Sequence, residues 1–523
     1  MKKFFRKLFS PLFLTAFVSL LEILLILAIF GICYFILDTA AESFNAGVYF
    51  FERVLLSVVE FIIYLYIVNK KENPEYKIPW ITAIFVTPLL TFILYLFFAN
   101  HGLKRRDRKI VENTNQQLDE CFKLGDEEIE KFREEVPLRY RSVFKYLRNT
   151  TRLSNSCNNS VTYFKNGETF FPELVESLKK AEKFIFIEFF IIGEGKWWSQ
   201  IEEVLLDKAK QGVEVRLIYD DLGAFGILPN NYHKKLRKKG IKCYKFHPFK
   251  PKLSGTYNNR DHRKIAVIDN KMAFTGGMNL ADEYANDEIR FGYWKDTMVK
   301  IEGRGVANLI ATFLSNYDLA ARSKTNFSDY VNGEYEEYDE DGYVFAFGDG
   351  PGGYTHNEPI GEENYLQLIE RADRTIYIST PYLIPTYRLM EALKKAATRG
   401  VNIKLFVPGI PDKKLVYWLA KSNFNELIHS GVHIYIYKPG FNHEKQMVVD
   451  DIMAFCGTIN FDFRSLAHHF ECGVTMYGTP CIKDMVQDFK EMEELSKLEK
   501  EGYKLNVFQR ALISLVNIFR TLL

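Results

Sequence analysis

Three apolar runs open the chain. Pro11 to about Leu37 carries one charged side chain, Glu22; Val48 to Val68 carries Glu52, Arg53 and Glu60; Pro79 to Phe98 carries none. Runs of this length suit bilayer-crossing helices, and the charge-free third is the best span of the three. The first is too long for a signal-peptide core and has no small-residue cleavage site. The charges in the second fit either a span with snorkelling ends or a segment lying in the membrane plane. Lys2, Lys3, Arg6 and Lys7 precede the runs, and Lys104, Arg105, Arg106, Arg108 and Lys109 come after them. The second basic cluster argues that the large region beyond it is cytoplasmic, whereas three full spans from a cytoplasmic start would carry that region outside. An even number of crossings reconciles the two, with the run holding Glu22 or the one holding Glu52, Arg53 and Glu60 failing to span.

Beyond residue 110 the pattern changes. Asn113 to about Glu135 is polar with helical spacing and suits a connector. Then strand and helix periods alternate, and the alternation occurs twice. Phe184–Phe189 predicts a strand, Trp197–Gln211 a helix and Gly212–Leu217 a strand; Thr375–Ile378, about Tyr387–Arg399 and Gly400–Leu405 repeat the series. Gly240–Tyr244 is answered by Gly431–Tyr435. Such alternation predicts α/β layers, and the repetition predicts duplication. The stretch 326–342, with Glu334, Glu336, Glu337, Asp339, Glu340 and Asp341, predicts an exposed acidic linker between the halves. Leu505 to Leu523 places Phe508, Leu512, Leu515, Val516, Phe519 and Leu522 on one helical face, suited to docking on the protein or to a lipid interface. The expected organisation is a membrane anchor over 1–110 with two to three hydrophobic segments, a charged helical connector over 111–150, halves over 151–325 and 343–490 around the linker, and an amphipathic tail over 491–523.

Composition narrows the function classes. The 523 residues hold 68 basic and 66 acidic side chains, a net charge of +2, so bulk charge gives no reason to expect a nucleic-acid partner. Seven cysteines have neither metal-finger spacing nor the density of a disulfide scaffold and read as free thiols.

The chemistry sits in a pattern written twice. His262, Lys264, Asp269, Gly276 and Asn279 obey His-x-Lys-x4-Asp-x6-Gly-x2-Asn, and so do His443, Lys445, Asp450, Gly457 and Asn460. Five fixed positions recur by chance in about one chain in 10⁴ of this length. On a strand, residues two apart share a face, so each histidine and lysine point into one cavity while the aspartate, of opposite parity, turns away. Asp269 and Asp450, though part of the catalytic motif, are therefore expected to be structural, forming ion pairs. Asn279 and Asn460 can donate to phosphoryl oxygens.

Around these motifs the chain resembles the phospholipase D superfamily, and most closely its membrane-bound bacterial cardiolipin synthases. The resemblance runs from about Tyr163 to Glu471. Its further residues are Arg260-Asp261-His262-Arg263-Lys264, Phe274-Thr275-Gly276-Gly277, Tyr293-Trp294-Lys295-Asp296-Thr297, Gly348-Asp349-Gly350-Pro351, Thr380-Pro381-Tyr382 and Asp462-Phe463-Arg464-Ser465 before Phe470-Glu471. Thr458 stands where serine is usual, and His468-His469 replace a leucine-asparagine pair. The resemblance implies a duplicated phospholipase D-like α/β/α sandwich preceded by N-terminal transmembrane helices. It implies two-step phosphodiester displacement, with His262 as nucleophile and His443 as general acid and base; pseudo-symmetry lets the residues alone assign the roles either way. A histidine keeps its tautomer through a partner on its far nitrogen. Glu471 is the expected partner of His443, and Asp296 the candidate for His262, with Glu283 and Glu288 also nearby in sequence. Two lysines and two asparagines supply the charge and donors that a cation gives elsewhere, so no metal or cofactor is called for.

The expected reaction passes a phosphatidyl group from one phosphatidylglycerol to another, giving cardiolipin and glycerol. Hydrolysis to phosphatidic acid, or transfer to another alcohol, needs the same catalytic residues and differs only at the acceptor. A membrane scaffold with a dead site is disfavoured by the intact motifs, and a nuclease by the apolar runs and near-neutral charge. The expected partners are phosphatidylglycerol and cardiolipin in a cell membrane crossed more than once, with the catalytic region cytoplasmic and no nucleic acid.

Overall fold

The computed structural model describes residues 46–523 except 72, 100–101, 124, 249–257, 352–357, 504, 519 and 521–523. The run Pro11–Leu37 lies outside these residues, as does the end of the tail.

The N-terminal unit contains the helices Ala46–Asn69, Pro74–Val86 and Pro88–Phe98. The charge-free run expected as one span is thus two helices. Pro88 drives Thr87 out of helical geometry, to φ −144° and ψ 76°, because the residue before a proline clashes with its ring in the α region. Among the described residues no helix is long and apolar enough to cross a membrane. Ile67, Ile84, Tyr95 and Ala99 form a small core, with Trp80 edge-on to Tyr95 at 5.2 Å. On Ala46–Asn69 a row from Val54 to Val68 stays exposed, with Phe61 at 59% and Tyr66 at 61%.

In the large unit two sheets share one plan. The first half supplies β1 (Ser160–Phe164), β2 (Phe184–Phe189), β3 (Glu214–Asp220), β4 (Lys242–Phe246), β5 (Lys264–Ile268), β6 (Met272–Gly276), β7 (Tyr293–Lys295) and β8 (Met298–Glu302). The second supplies β9 (Tyr343–Asp349), β10 (Thr375–Ser379), β11 (Asn402–Pro408), β12 (His433–Tyr437), β13 (Gly440–Asn442), β14 (Gln446–Val449), β15 (Met453–Gly457), β16 (Glu471–Tyr477) and β17 (Ser496–Glu499). The first sheet runs β1-β8-β6-β5-β2-β3-β4, and the second, read from its far edge, β9-β16-β15-β14-β10-β11-β12-β17. Each strand of the first has its counterpart at the same place in the second, and β17 is an addition at the edge. The alternation of strand and helix produces parallel β2-β3-β4 and β10-β11-β12, while the motif strands β5 and β14 run antiparallel beside them. The central strands β2, β5 and β14 are buried on both faces and apolar but for Glu188, Lys264 and Gln446.

One core runs through both halves. The helix Val306–Ala321 is buried on nearly every side, with Phe313 stacked on Phe186 of β2 and members such as Leu309 and Leu314 sharing a cluster with Phe345 and Phe347 of β9. The polar stretch expected as a connector forms the helices Arg105–Cys121, Asp126–Glu135 and Leu138–Thr151, whose inner residues Val111, Leu118, Val143, Phe144 and Leu147 join this same core. The acidic linker is anchored too: Phe327 and Val331 are buried, and Tyr330 packs against Phe184 and Phe186. The tail helix Val507–Ile518 docks through Ile513, 4% exposed, while Val507 and Phe508 remain exposed.

Candidate active site

Each motif histidine is delivered by the chain just before a central strand and then clamped by the other half. Asp261 bridges Phe470 in parallel, so the His262 N–H donates to Phe470 O at 2.8 Å. Asn442 pairs with Lys295 in the β13–β7 ribbon, so the His443 N–H donates to Lys295 O at 2.7 Å. The next residue on each clamping segment is a carboxylate. Glu471 therefore faces His262, with its oxygens 2.9 and 3.0 Å from Nδ1, and Asp296 faces His443, with Oδ2 2.6 Å from Nδ1. The pairing is the reverse of the expected one: each carboxylate orients the histidine of the opposite half. The backbone bridges between halves set this register, and spacing within one half cannot disclose it.

A carboxylate on Nδ1 selects the tautomer with the proton there, leaving Nε2 with its lone pair. Lys264 donates to His262 O at 2.5 Å, and Lys445 bonds His443 O. Lys445 Nζ also lies 2.8 Å from His443 Nδ1, but that nitrogen cannot accept from an ammonium while donating to Asp296, so the carbonyl takes the lysine proton. Both histidines are 7% exposed and both lysines fully buried. Burial and then the surrounding ammoniums, Lys264 and Lys445 foremost, hold both imidazoles well below the ordinary histidine range. Burial likewise pulls Lys264 down to about 8 and Lys445 to about 7, against the attraction of Asp296 and Glu471, and pushes Asp296 up to about 6. The two motifs thus converge on one desolvated, positively charged site, with Lys413 contributing charge toward both imidazoles.

The residue between each histidine and lysine has the opposite parity and ties the halves together. Arg263 donates to Glu471 O, Thr312 O and Asp349 O at 2.9 to 3.0 Å. Glu444 pairs with buried Lys295 at 2.7 Å, and Lys295 pairs in turn with Asp488.

Asp269 and Asp450 turn away from the site, as parity predicts, but the expected ion pairing gives way to backbone capping. Asp269 accepts from the N–H groups of Glu182, Lys183 and Phe184, and Asp450 from those of Asp373, Arg374 and Thr375, all at 2.7 to 2.9 Å. Both adopt φ +52° at the end of their strand, a left-handed conformation that aspartate tolerates. Of the two, Asp450 has Arg139 in range, at 3.9 Å.

The asparagines differ. Asn279 accepts from Ile191 N–H at 3.0 Å and donates to Tyr284 Oη at 2.6 Å, whereas the Oδ1 of Asn460 is buried without a partner among the described residues.

Other residues of the site lay outside the motif pattern. Tyr284, Trp294 and Phe441 wall His443 at ring distances of 5.4 to 5.7 Å, and Phe190 and His469 wall His262 at 5.1 and 5.3 Å. Thr458 bonds the Glu471 carboxylate and accepts from Cys472 N–H. Its counterpart Gly277 leaves room for Asp296: a Cβ there would lie 1.9 Å from Asp296 Oδ1. The only sequence signals for Thr458 and His469 were their departures from the superfamily pattern.

Two α/β halves sharing one core and one pair of histidines define the phospholipase D class of fold. A solved phosphatidylserine synthase from Haemophilus influenzae Rd KW20 matches it with a TM-score of 0.55 at 15% identity, over 74% of this chain and 100% of that one. The family described as cardiolipin synthase, PLD-like domain, matches residues 174–313 and 365–493, and one described as phospholipase D-nuclease N-terminal matches residues 61–100. The chain belongs to the cardiolipin synthase family of phospholipase D-like proteins. A cardiolipin synthase of Geobacillus sp. (strain WCH70) is 32% identical over 90% of this chain and 94% of its own length. An uncharacterized protein of Streptococcus mutans serotype c is 41% identical over 83% of this chain and 93% of its own.

Proposed function

We propose that the chain is a phosphatidyltransferase that joins two phosphatidylglycerol molecules into cardiolipin and releases glycerol. The observation that carries this reading is the pair of buried imidazoles, each with Nδ1 on a carboxylate, beside two buried lysines. In the first step His262 Nε2 attacks phosphorus, the bond to the glycerol oxygen breaks, and His443 in its protonated form gives that oxygen its proton. Glu471 stabilises the positive charge that develops on the His262 ring. In the second step neutral His443 takes the hydroxyl proton of the incoming phosphatidylglycerol, whose oxygen displaces His262. Both histidines return to their starting states.

Lys264 and Lys445, with the amide N–H groups of Asn279 and Asn460, serve the phosphoryl oxygens. Burial and the two ammoniums hold His443 low and the lysines near neutrality in the free enzyme; an anionic phosphate beside them raises all three, so that both ammoniums stay charged and His443 carries the proton it gives.

Transfer outcompetes hydrolysis only where water, roughly 55 M in bulk, is kept from the phosphohistidine. The 7% exposure of both histidines and the aromatic walls at His443 favour this. A place at a membrane surface, held by N-terminal segments that cross it an even number of times with the catalytic region cytoplasmic, would let donor and acceptor lipids arrive from the bilayer. The exposed apolar row on Ala46–Asn69 supports that attachment. Purified protein given labelled phosphatidylglycerol in vesicles should release cardiolipin and glycerol in equal amounts, and added glycerol should reverse the reaction. Phosphatidic acid as the main product would instead establish a phospholipase.

A further inference from the structure

His469 serves no step of that chemistry, yet it lies against the attacking histidine. Its ring centroid is 5.3 Å from that of His262, and its Nδ1 is 3.4 Å from Glu471 Oε1. One ligand atom from each of His262, His469 and Glu471 lies within 4.8 Å of the others, and all three residues are buried. His262 comes from the first half and the other two from the second, so no spacing in the sequence discloses the group.

We propose that His262, His469 and Glu471 form an inhibitory zinc site, an inference that rests on His262 being the attacking residue. Two imidazoles and a carboxylate are a common three-ligand set for zinc, which fills its fourth position with water. Tetrahedral bonds of about 2.0–2.2 Å separate neighbouring ligand atoms by roughly 3.4 Å. His469 Nδ1 already stands at that distance from Glu471 Oε1, while His262 Nδ1, at 3.0 Å from the same oxygen, must draw back by about 0.4 Å. Lys264 and Lys445 oppose any added cation. That repulsion disfavours magnesium and calcium, which prefer oxygen ligands, more than zinc, whose bonds to imidazole nitrogen are strong and directional.

The inhibitory effect is a matter of where protons go. Zinc on His262 Nδ1 displaces the proton that this nitrogen donates to Glu471, and the neutral ring then carries its proton on Nε2. The attacking lone pair is lost with no net release of a proton.

The test uses the purified full-length protein in detergent. Zinc binding is measured by calorimetry without lipid, and turnover on phosphatidylglycerol is measured in zinc-buffered solution. The expected result is one bound zinc per chain, inhibition reversed by a chelator, and no inhibition by magnesium or calcium at the same concentration. His469→Asn and His469→Gln should each raise the half-inhibiting zinc concentration at least about 10-fold and weaken binding in parallel. Equal inhibition of the wild type and both variants, or zinc binding unaffected by either, overturns the site while leaving the role of His262 standing. His469-dependent binding of one zinc with undiminished turnover overturns both.

Discussion

His262 and Glu471 come from opposite halves of the chain and meet with Nδ1 2.9 Å from the carboxylate, because the segment ending at Phe470 lies in parallel beside Asp261. Glu471→Gln keeps the shape but removes the charge that stabilises the imidazolium and the acceptor that fixes its tautomer. It should lower kcat by on the order of 10²–10⁴-fold. Asp296→Asn should do the same to His443. Steady-state kinetics of the two variants check this, and wild-type rates in either would refute the crossed pairing.

His262→Ala and His443→Ala should each abolish turnover, but only the second retains the attacking nitrogen. Reactions with phosphorus-labelled lipid quenched in alkaline denaturant, where a phosphohistidine survives, should therefore leave label on the His443→Ala protein and none on His262→Ala. Label on His262→Ala alone would exchange the two roles. Lys264→Ala, Lys445→Ala, Asn279→Ala and Asn460→Ala should each cost on the order of 10²–10³ in rate, the scale for losing one transition-state donor.

Lys445, lowered to about 7, is an ammonium in the free enzyme only below that pH. As pH rises through this value the site loses positive charge, so kcat/KM should fall on its basic side. The acidic limb should lie below pH 6.5, because burial holds His262 beneath the ordinary range. Bound phosphodiester raises the lysine, so the basic limb of kcat should lie at higher pH than that of kcat/KM. In Lys445→Arg, whose side chain stays charged, the basic limb of kcat/KM should move up. Coincident limbs in both profiles and in both proteins would contradict the assignment.

Asp269→Ala should destabilise without touching the chemistry, since its carboxylate serves three backbone N–H groups far along the strand from Lys264. Losing charge-assisted bonds of this kind costs about 2–3 kcal/mol. Asp450→Ala should match it, and the asparagine variants should be milder. Denaturant titration measures the loss, and kcat per folded molecule should stay near the wild-type value.

Gly277→Ala should act on catalysis instead. The added Cβ would meet Asp296 Oδ1 at 1.9 Å and push the carboxylate off His443. A displacement of about 1 Å at such a pair costs on the order of 10²-fold in rate. Wild-type kcat in a folded variant would mean that Asp296 has room to adjust.

The duplication, the strand–helix alternation and the shared face of each histidine and lysine were legible because they are periodic within a few residues: Lys264 and Lys445 lie where parity puts them. The pairing of Glu471 with His262 was not, because it depends on which segment of one half lies beside which of the other. The wall of Tyr284, Trp294 and Phe441 arises the same way, from residues distant in sequence. The break at Thr87 could have been read from Pro88, but the unbroken apolar composition around it dominated the expectation. The connector's helical spacing was legible but its packing was not, for a related reason: Val111, Leu118 and Leu147 make a narrow stripe on otherwise polar helices, and the surface that stripe packs against is invisible locally.

The exchange of carboxylates has a consequence for ancestry and engineering alike. A single half expressed by itself holds a histidine and a lysine but points its carboxylate at nothing, so the smallest working unit is two copies facing one another. Joining them in one polypeptide fixes that partnership at one to one at any concentration. It also lets the copies differ: one holds Gly277 and Arg263 where the other holds Thr458 and Glu444. Splitting the chain in the acidic segment and mixing the two fragments should restore activity that neither fragment has alone.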